Sequence, residues 1–219
     1  MPIARITLVN PNSLTPVTEA VARAVAPFDH LPLAFRCLTS TDGPAGIQTQ
    51  AEADASIAPM ARLFLQEADT TDAFVVACFS DPGLHGLRDL VRVPVLGIGE
   101  CSVLTAMSMA TRIGVIAIAG AAIPRHLRYF RAMGVADRIC GELALDMKVS
   151  DLADAELAFQ RMTTVGKTLR DVHGADVLIM GCAGMADLRD RLEDACGLPV
   201  VEPTQAAVAM AAGRLLRRP

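Results

Sequence analysis

DAFVVACFS at residues 72–80 and DVLIMGCAG at residues 176–184 are two versions of one pattern. Each opens on an Asp, runs through an apolar segment too short for a helix, and ends on a Cys followed by small or turn-forming residues. Cys78 and Cys182 stand 104 positions apart (182 − 78). Working outward, each Cys is followed by a helix-like segment containing Leu-Arg-Asp (Leu87 to Asp89, Leu188 to Asp190). A Pro then opens another apolar run, Pro94-Val95-Leu96 and Pro199-Val200-Val201. Upstream, Arg5-Ile6-Thr7-Leu8-Val9 matches Arg112-Ile113-Gly114-Val115-Ile116. Landmarks in one order at a nearly constant offset predict a duplicated α/β unit. Two lobes related by an approximate two-fold axis follow, each with a Cys at the carboxyl end of a buried strand.

The chain between these landmarks alternates strand and helix throughout, which predicts a parallel sheet in each lobe. Strands are expected at 3–9, 32–38, 72–78, 95–98, 112–118, 139–145, 176–181 and 199–201. Helices are expected at about 14–26, 51–68, 84–91, 100–110, 124–133, 152–172, 186–196 and 204–216. The first lobe is drawn at 1–99, joined by the C-terminal helix at about 204–219, and the second at 100–203. Asn10-Pro11-Asn12-Ser13 forms the turn into the first helix, where Asn10 and Asn12 serve either as capping groups or as ligand contacts. The loop TDGPAGIQTQ at 41–50 is long enough for the wall of a site or for plain surface.

Composition narrows the class. A chain of 219 residues, 52% hydrophobic and 20% charged, can bury roughly 70% of its unfolded surface, so a compact core is expected. A net charge of −4 gives no electrostatic reason to bind nucleic acid, and the basic trio Arg214, Arg217 and Arg218 reads as a solvated helix end. No uninterrupted apolar span reads as a membrane crossing, and MPIARITLVN reads as a strand rather than a secretory leader, so a cytoplasmic protein is expected. The six cysteines show no Cys-x-x-Cys spacing and no short Cys/His pattern, and no Walker-type or Gly-x-Gly-x-x-Gly turn follows a strand. Neither metal nor cofactor is therefore expected. Cys37, Cys101, Cys140 and Cys196 read as small core hydrophobes.

Parallel sheets bind ligands beyond the carboxyl ends of their strands, so the symmetry turns both cysteines toward one cleft. A strand-end Cys before a helix has backbone N–H groups nearby, which are expected to lower its pKa. Nucleophilic catalysis would call for a neighbouring His; His30, His85, His126 and His173 occupy no matched positions, and His85 is the nearest candidate to Cys78. Two opposed thiols suit a different reaction, in which one thiolate removes a proton from a carbon beside a carbonyl and the opposite thiol returns one on the other face.

On these residues the sequence resembles the aspartate/glutamate racemase superfamily, and within it the hydantoin and allantoin racemases. The resemblance is carried by Val9-Asn10-Pro11-Asn12, Gly43-Pro44, the nonapeptide from Val76 to Leu84, Leu96-Gly97-Ile98 before Glu100, and Gly181-Cys182-Ala183-Gly184-Met185. It implies a two-lobed, cofactor-independent enzyme that racemises 5-substituted hydantoins or allantoin, with a small-molecule substrate and a homo-oligomeric assembly. Carried over residue by residue, the catalytic pair is Cys78 and Cys182. Asn10, Pro11, Asn12, Phe79, Ser80, Ala183 and Gly184 surround the ligand, with Ala119 and Gly120 where the family usually has two Thr. Phe79-Ser80 and Ala183-Gly184 replace the Asn-Thr and Thr-Glu that hold amino-acid zwitterions, which favours a neutral ring.

Two departures stand out. Ile118-Ala119-Gly120-Ala121 lacks the Thr hydroxyls, and Glu202-Pro203 replaces the usual Asp-Gly. They keep two alternatives open: a decarboxylase or isomerase of a small dicarboxylic acid, and a non-catalytic small-molecule-binding or thiol-sensing protein.

Overall fold

The computed structural model describes residues 4–147, 151–152 and 154–216. Ile3 of the first predicted strand, residue 153 of the helix expected at 152–172, and Arg217 and Arg218 lie outside the described residues. Two four-stranded sheets carry the fold. The first joins β1 (Ala4–Asn10), β2 (Leu33–Thr39), β3 (Ala73–Val76) and β4 (Val95–Gly97) in the order β2-β1-β3-β4. The second joins β5 (Ile113–Ala117), β6 (Ile139–Ala144), β7 (Val177–Gly181) and β8 (Val200–Val201) in the order β6-β5-β7-β8. Every pairing is parallel, and the two orders are the same.

The repeated landmarks occupy equivalent places. The backbone N–H of Asp72 donates to Arg5 O at 2.9 Å, and that of Asp176 donates to Arg112 O at 2.8 Å. Phe74 N donates to Pro94 O and Leu178 N to Pro199 O, both at 2.9 Å. Strands β3, β5 and β7 are buried at every position, which is why they read as unbroken apolar runs.

Helix α1 (Thr15–Ala24) buries Val17, Ala20, Val21 and Ala24, the spacing of one helical face. The predicted helix 51–68 is two: α2 (Gln50–Ala55) and α3 (Ile57–Glu67). They part at the buried Ser56, whose hydroxyl donates to Ala53 O at 2.7 Å and so competes with the helical ladder. The start of α2 is fixed by a capping box between Thr49 and Glu52. Further on come α4 (Leu84–Leu90), α5 (Ile98–Met109), α6 (Ile123–Ala132) and α7 (Ala155–Asp171). After β7 the chain takes a 3-10 turn, Ala183–Leu188, before α8 (Arg189–Cys196), so the helix predicted from 186 begins later than expected.

Helix α5 and the closing helix α9 (Pro203–Leu215) bury residues of small size, among them Cys101, Ser102, Ala106, Ala206, Ala207, Ala211 and Ala212. The core around them is continuous: Ile6, Leu8 and Val75 of the first sheet share it with Val115, Val177 and Ile179 of the second. Glu202, the departure noted above, is the N-cap of α9, its side chain accepting from Gln205 N at 2.6 Å.

Candidate active site

In each sheet the chain winds outward in both directions from between two strands, β1 and β3 in one and β5 and β7 in the other. Such a switch point leaves a crevice beyond the strand ends. Cys78 lies just past β3, and Cys182 just past β7. Both are free and half-buried, and both line one cavity with about 590 Å³ of empty space, its mouth included. Of the other residues expected around the ligand, Asn12, Phe79, Ser80, Ala119 and Ala183 line it too.

Asn10, Pro11, Gly120 and Gly184 do not line it. Asn10 is the hub of the turn: its amide reaches Asn12 Oδ1, Leu14 O and Thr18 Oγ1 at 3.0–3.1 Å, and its Oδ1 accepts from Asn12 N. These bonds shape the turn ahead of α1, whose N-cap Leu14 has no side-chain cap. Asn12 faces the cavity, with its Oδ1 held by Leu14 N and Asn10. Pro11 is buried against the 41–50 loop, where its carbonyl would lie 2.4 Å from a Cβ on Gly43. Gly120 is exposed at the start of a 3-10 turn, and Gly184 sits behind Cys182. From the 41–50 loop, Ile47 and Gln48 form part of the wall.

The turn after Cys78 is held from several sides. Asp81 N donates to Cys78 O at 2.9 Å, and Asp81 adopts φ of 46°, a left-handed conformation rarely held by residues other than Gly. Its carboxylate accepts from Gly99 N at 2.9 Å, Glu100 N at 2.6 Å and the Tyr129 hydroxyl at 2.8 Å. It thus caps α5 from outside and ties the turn to α6. The approach demands glycine: a Cβ on Gly97 would lie 2.2 Å from Asp81 Cγ, and one on Gly99 2.1 Å from Phe79 O. Burial pushes the Asp81 carboxyl up to about 7, against the pull of its two backbone donors.

The two thiols differ in their surroundings. Cys78 Sγ has the Ser80 hydroxyl at 3.4 Å, the Ser80 N–H, and the charge of Arg125 nearby. Cys182 has only the N–H groups of Gly184 and Ala183 to favour its thiolate. The expectation of lowered thiol pKa values is corrected here. Burial outweighs these donors, raising Cys78 above its ordinary value and Cys182 to about 11.

On and behind the far wall stand Arg125 and Glu142, which the sequence does not single out, and His126, which holds no matched position in it. Ile118 and Ala122 are apolar there, in keeping with the missing hydroxyls, but Arg125 and His126 on the first turn of α6 are not. His126 Nδ1 lies 2.6 Å from Glu142 Oε1 on β6, both side chains buried, and its ring stands edge-on to Phe79 with centroids 5.1 Å apart. His85 is exposed on α4, away from this wall. Pro124 before Arg125 signalled a helix start; nothing local signalled that the next two residues face the cavity.

Fold and site together define a two-lobed α/β enzyme with paired thiols at equivalent strand ends. The Asp/Glu/Hydantoin racemase family model matches residues 6–211, and the chain belongs to that family, which places it among the racemases. The hydantoin racemase of Rhizobium meliloti is 34% identical over 209 residues, covering 94% of this chain and 86% of that protein. Allantoin racemase from Klebsiella pneumoniae superimposes with a TM-score of 0.92 at 24% identity, covering 97% of this chain and 88% of the other. Allantoin racemase from Pseudomonas fluorescens gives 0.91 at 25%, covering 97% and 91%. Among the described residues no helix is long and apolar enough to cross a membrane.

Proposed function

We propose that the protein is a cofactor-independent racemase of a small ring compound with an acidic carbon beside a carbonyl, a 5-substituted hydantoin or allantoin being the nearest chemistry. Cys78 and Cys182 are the proton carriers. The observation that supports this reading is that two free thiols, one from each half of a duplicated unit, open onto the same cavity. One thiolate takes the proton from the ring carbon, the electrons move into the carbonyl as an enolate, and the opposite thiol delivers a proton to the other face. The thiols exchange roles in the reverse direction. Ser80 and Arg125 favour the Cys78 thiolate against the burial that raises its pKa. Asn12, Phe79, Ser80, Ala119 and Ala183 form the walls around the ring, with Asn10, Pro11, Gly120 and Gly184 setting their backbone. In the cell the reading is of a cytoplasmic homo-oligomer, supported by the six free cysteines and by Leu104 and Met109 exposed on α5.

The test separates the two thiols. In deuterated buffer, Cys78→Ala and Cys182→Ala both lose racemisation of a 5-substituted hydantoin, by about 10² to 10⁴ in rate. Each variant still exchanges the proton of one enantiomer, and the two variants serve opposite enantiomers. Cys37, Cys101, Cys140 and Cys196 variants change stability alone. Racemisation surviving either catalytic substitution at near wild-type rate would remove the mechanism, and carbon dioxide release from a malonate would move the protein to the decarboxylases.

A further inference from the structure

We propose that Arg125 binds a carboxylate on the substrate's side arm, so that the preferred substrates are acidic: rings whose substituent ends in a carboxylate rather than in an alkyl or aryl group.

Arg125 is 8% exposed and lines the cavity on the first turn of α6. Its Nε and Nη1 are buried without a hydrogen-bond partner, and among the described residues no carboxylate lies within ion-pair distance of it. The charged groups that act on it are otherwise engaged. Glu52 Oε2 accepts from Gln48 N, Thr49 N and Thr49 Oγ1 at 2.8–3.0 Å in the cap of α2. Glu142 is held by His126, and Arg128, a like charge, donates to Gln50. Cys78 is neutral as long as it keeps its proton.

A guanidinium stays charged in proteins, and a buried charge without partners is unfavourable until something of opposite sign arrives. The first turn of α6 adds its own positive end to the same spot. A planar fork of N–H donors matches a carboxylate, and the opening beside it is the substrate cavity. The rest of that wall, Ile118, Ala119 and Ala122, carries no side-chain hydroxyl, so orientation of the ligand passes from hydroxyls to this charge.

The inference rests on the racemase reading for turnover but not for binding, and the experiment reads both. The probes are hydantoin-5-acetate and its neutral isostere, the 5-carbamoylmethyl hydantoin. Binding is followed by calorimetry, and racemisation by loss of optical rotation. In the wild-type protein the acid is favoured over the amide by roughly 10- to 100-fold in Kd and in kcat/KM, the worth of hydrogen bonds to a charged group. In Arg125→Met that ratio falls toward one, and Arg125→Lys keeps part of it. The unliganded Met variant also melts at a higher temperature, because an uncompensated charge has left the interior; a structural arginine would give the opposite shift. Acid preference that depends on Arg125 without any turnover would sustain the carboxylate site and sink the racemase reading. Equal handling of acid and amide by an active wild-type enzyme would do the reverse. The wild-type ratio decides the matter even where a variant does not fold.

Discussion

Asp81→Asn tests the clamp behind Cys78. The wild-type carboxyl is buried, and its pKa stands at about 7 against an ordinary 3.8. In the unfolded chain it is ionised above about pH 4, whereas in the folded protein it keeps its proton until about pH 7. Between those values the unfolded state binds fewer protons, so stability falls as pH rises and levels off above pH 7. Three pH units at 1.36 kcal/mol each amount to about 4 kcal/mol. Asparagine does not titrate; its one oxygen can serve either Gly99 N or Glu100 N and Tyr129, a loss that shifts stability equally at every pH. Urea unfolding of both proteins from pH 4.5 to 8.5 should therefore give curves that diverge, with the variant gaining about 3 to 4 kcal/mol on wild type by pH 7.5. Glu202, also raised to about 7 by burial, is common to both proteins and cancels in the difference. Parallel curves would refute the reasoning, because they would mean that Asp81 is ionised in the folded protein as readily as in the unfolded chain.

Because burial raises both thiols, kcat/KM for hydantoin racemisation is expected to climb about tenfold per pH unit from pH 7 to 9, after subtraction of the buffer rate. A flat profile would point to a thiolate already formed at neutrality. Gly97→Ala drives a methyl into the Asp81 carboxylate, so the turn must shift; a loss of about 1 to 3 kcal/mol by urea unfolding is expected, the size of overpacking penalties, together with a fall in kcat. EDTA is expected to leave activity unchanged, since no Cys/His spacing in the chain suits a metal; loss of activity restored by zinc or magnesium would contradict that.

What was legible in the sequence was whatever the backbone repeats. Parallel strands buried on both faces leave unbroken apolar runs, and Asp72 and Asp176 stand just before them, the backbone N–H of each donating to the carbonyl of Arg5 or Arg112. Those runs placed Cys78 and Cys182 at the ends of β3 and β7 and gave two equivalent sheets. Side-chain partnerships formed across the fold left no such trace. His126 meets Glu142 only because α6 packs over β6, and Arg125 reaches Cys78 only because the second half of the chain faces the first. The thiol pKa values were misjudged for the same reason: N–H donors are local and visible, while the desolvation that overrides them belongs to the assembled cleft. The break at Ser56 turned on one buried hydroxyl.

The layer formed by α5 and α9 has a mechanical consequence. Their small buried side chains serve the interior of both halves at once, so prising the sheets apart would open a continuous apolar interior to water. Rocking of rigid halves, the usual way a cleft between two units admits its guest, would therefore cost apolar burial. At the rim of the cavity Ile47 and Gln48 are half-buried, and the N–H of Gln48 is tied to Glu52 at the start of α2. The two halves are joined as one body through a shared interior.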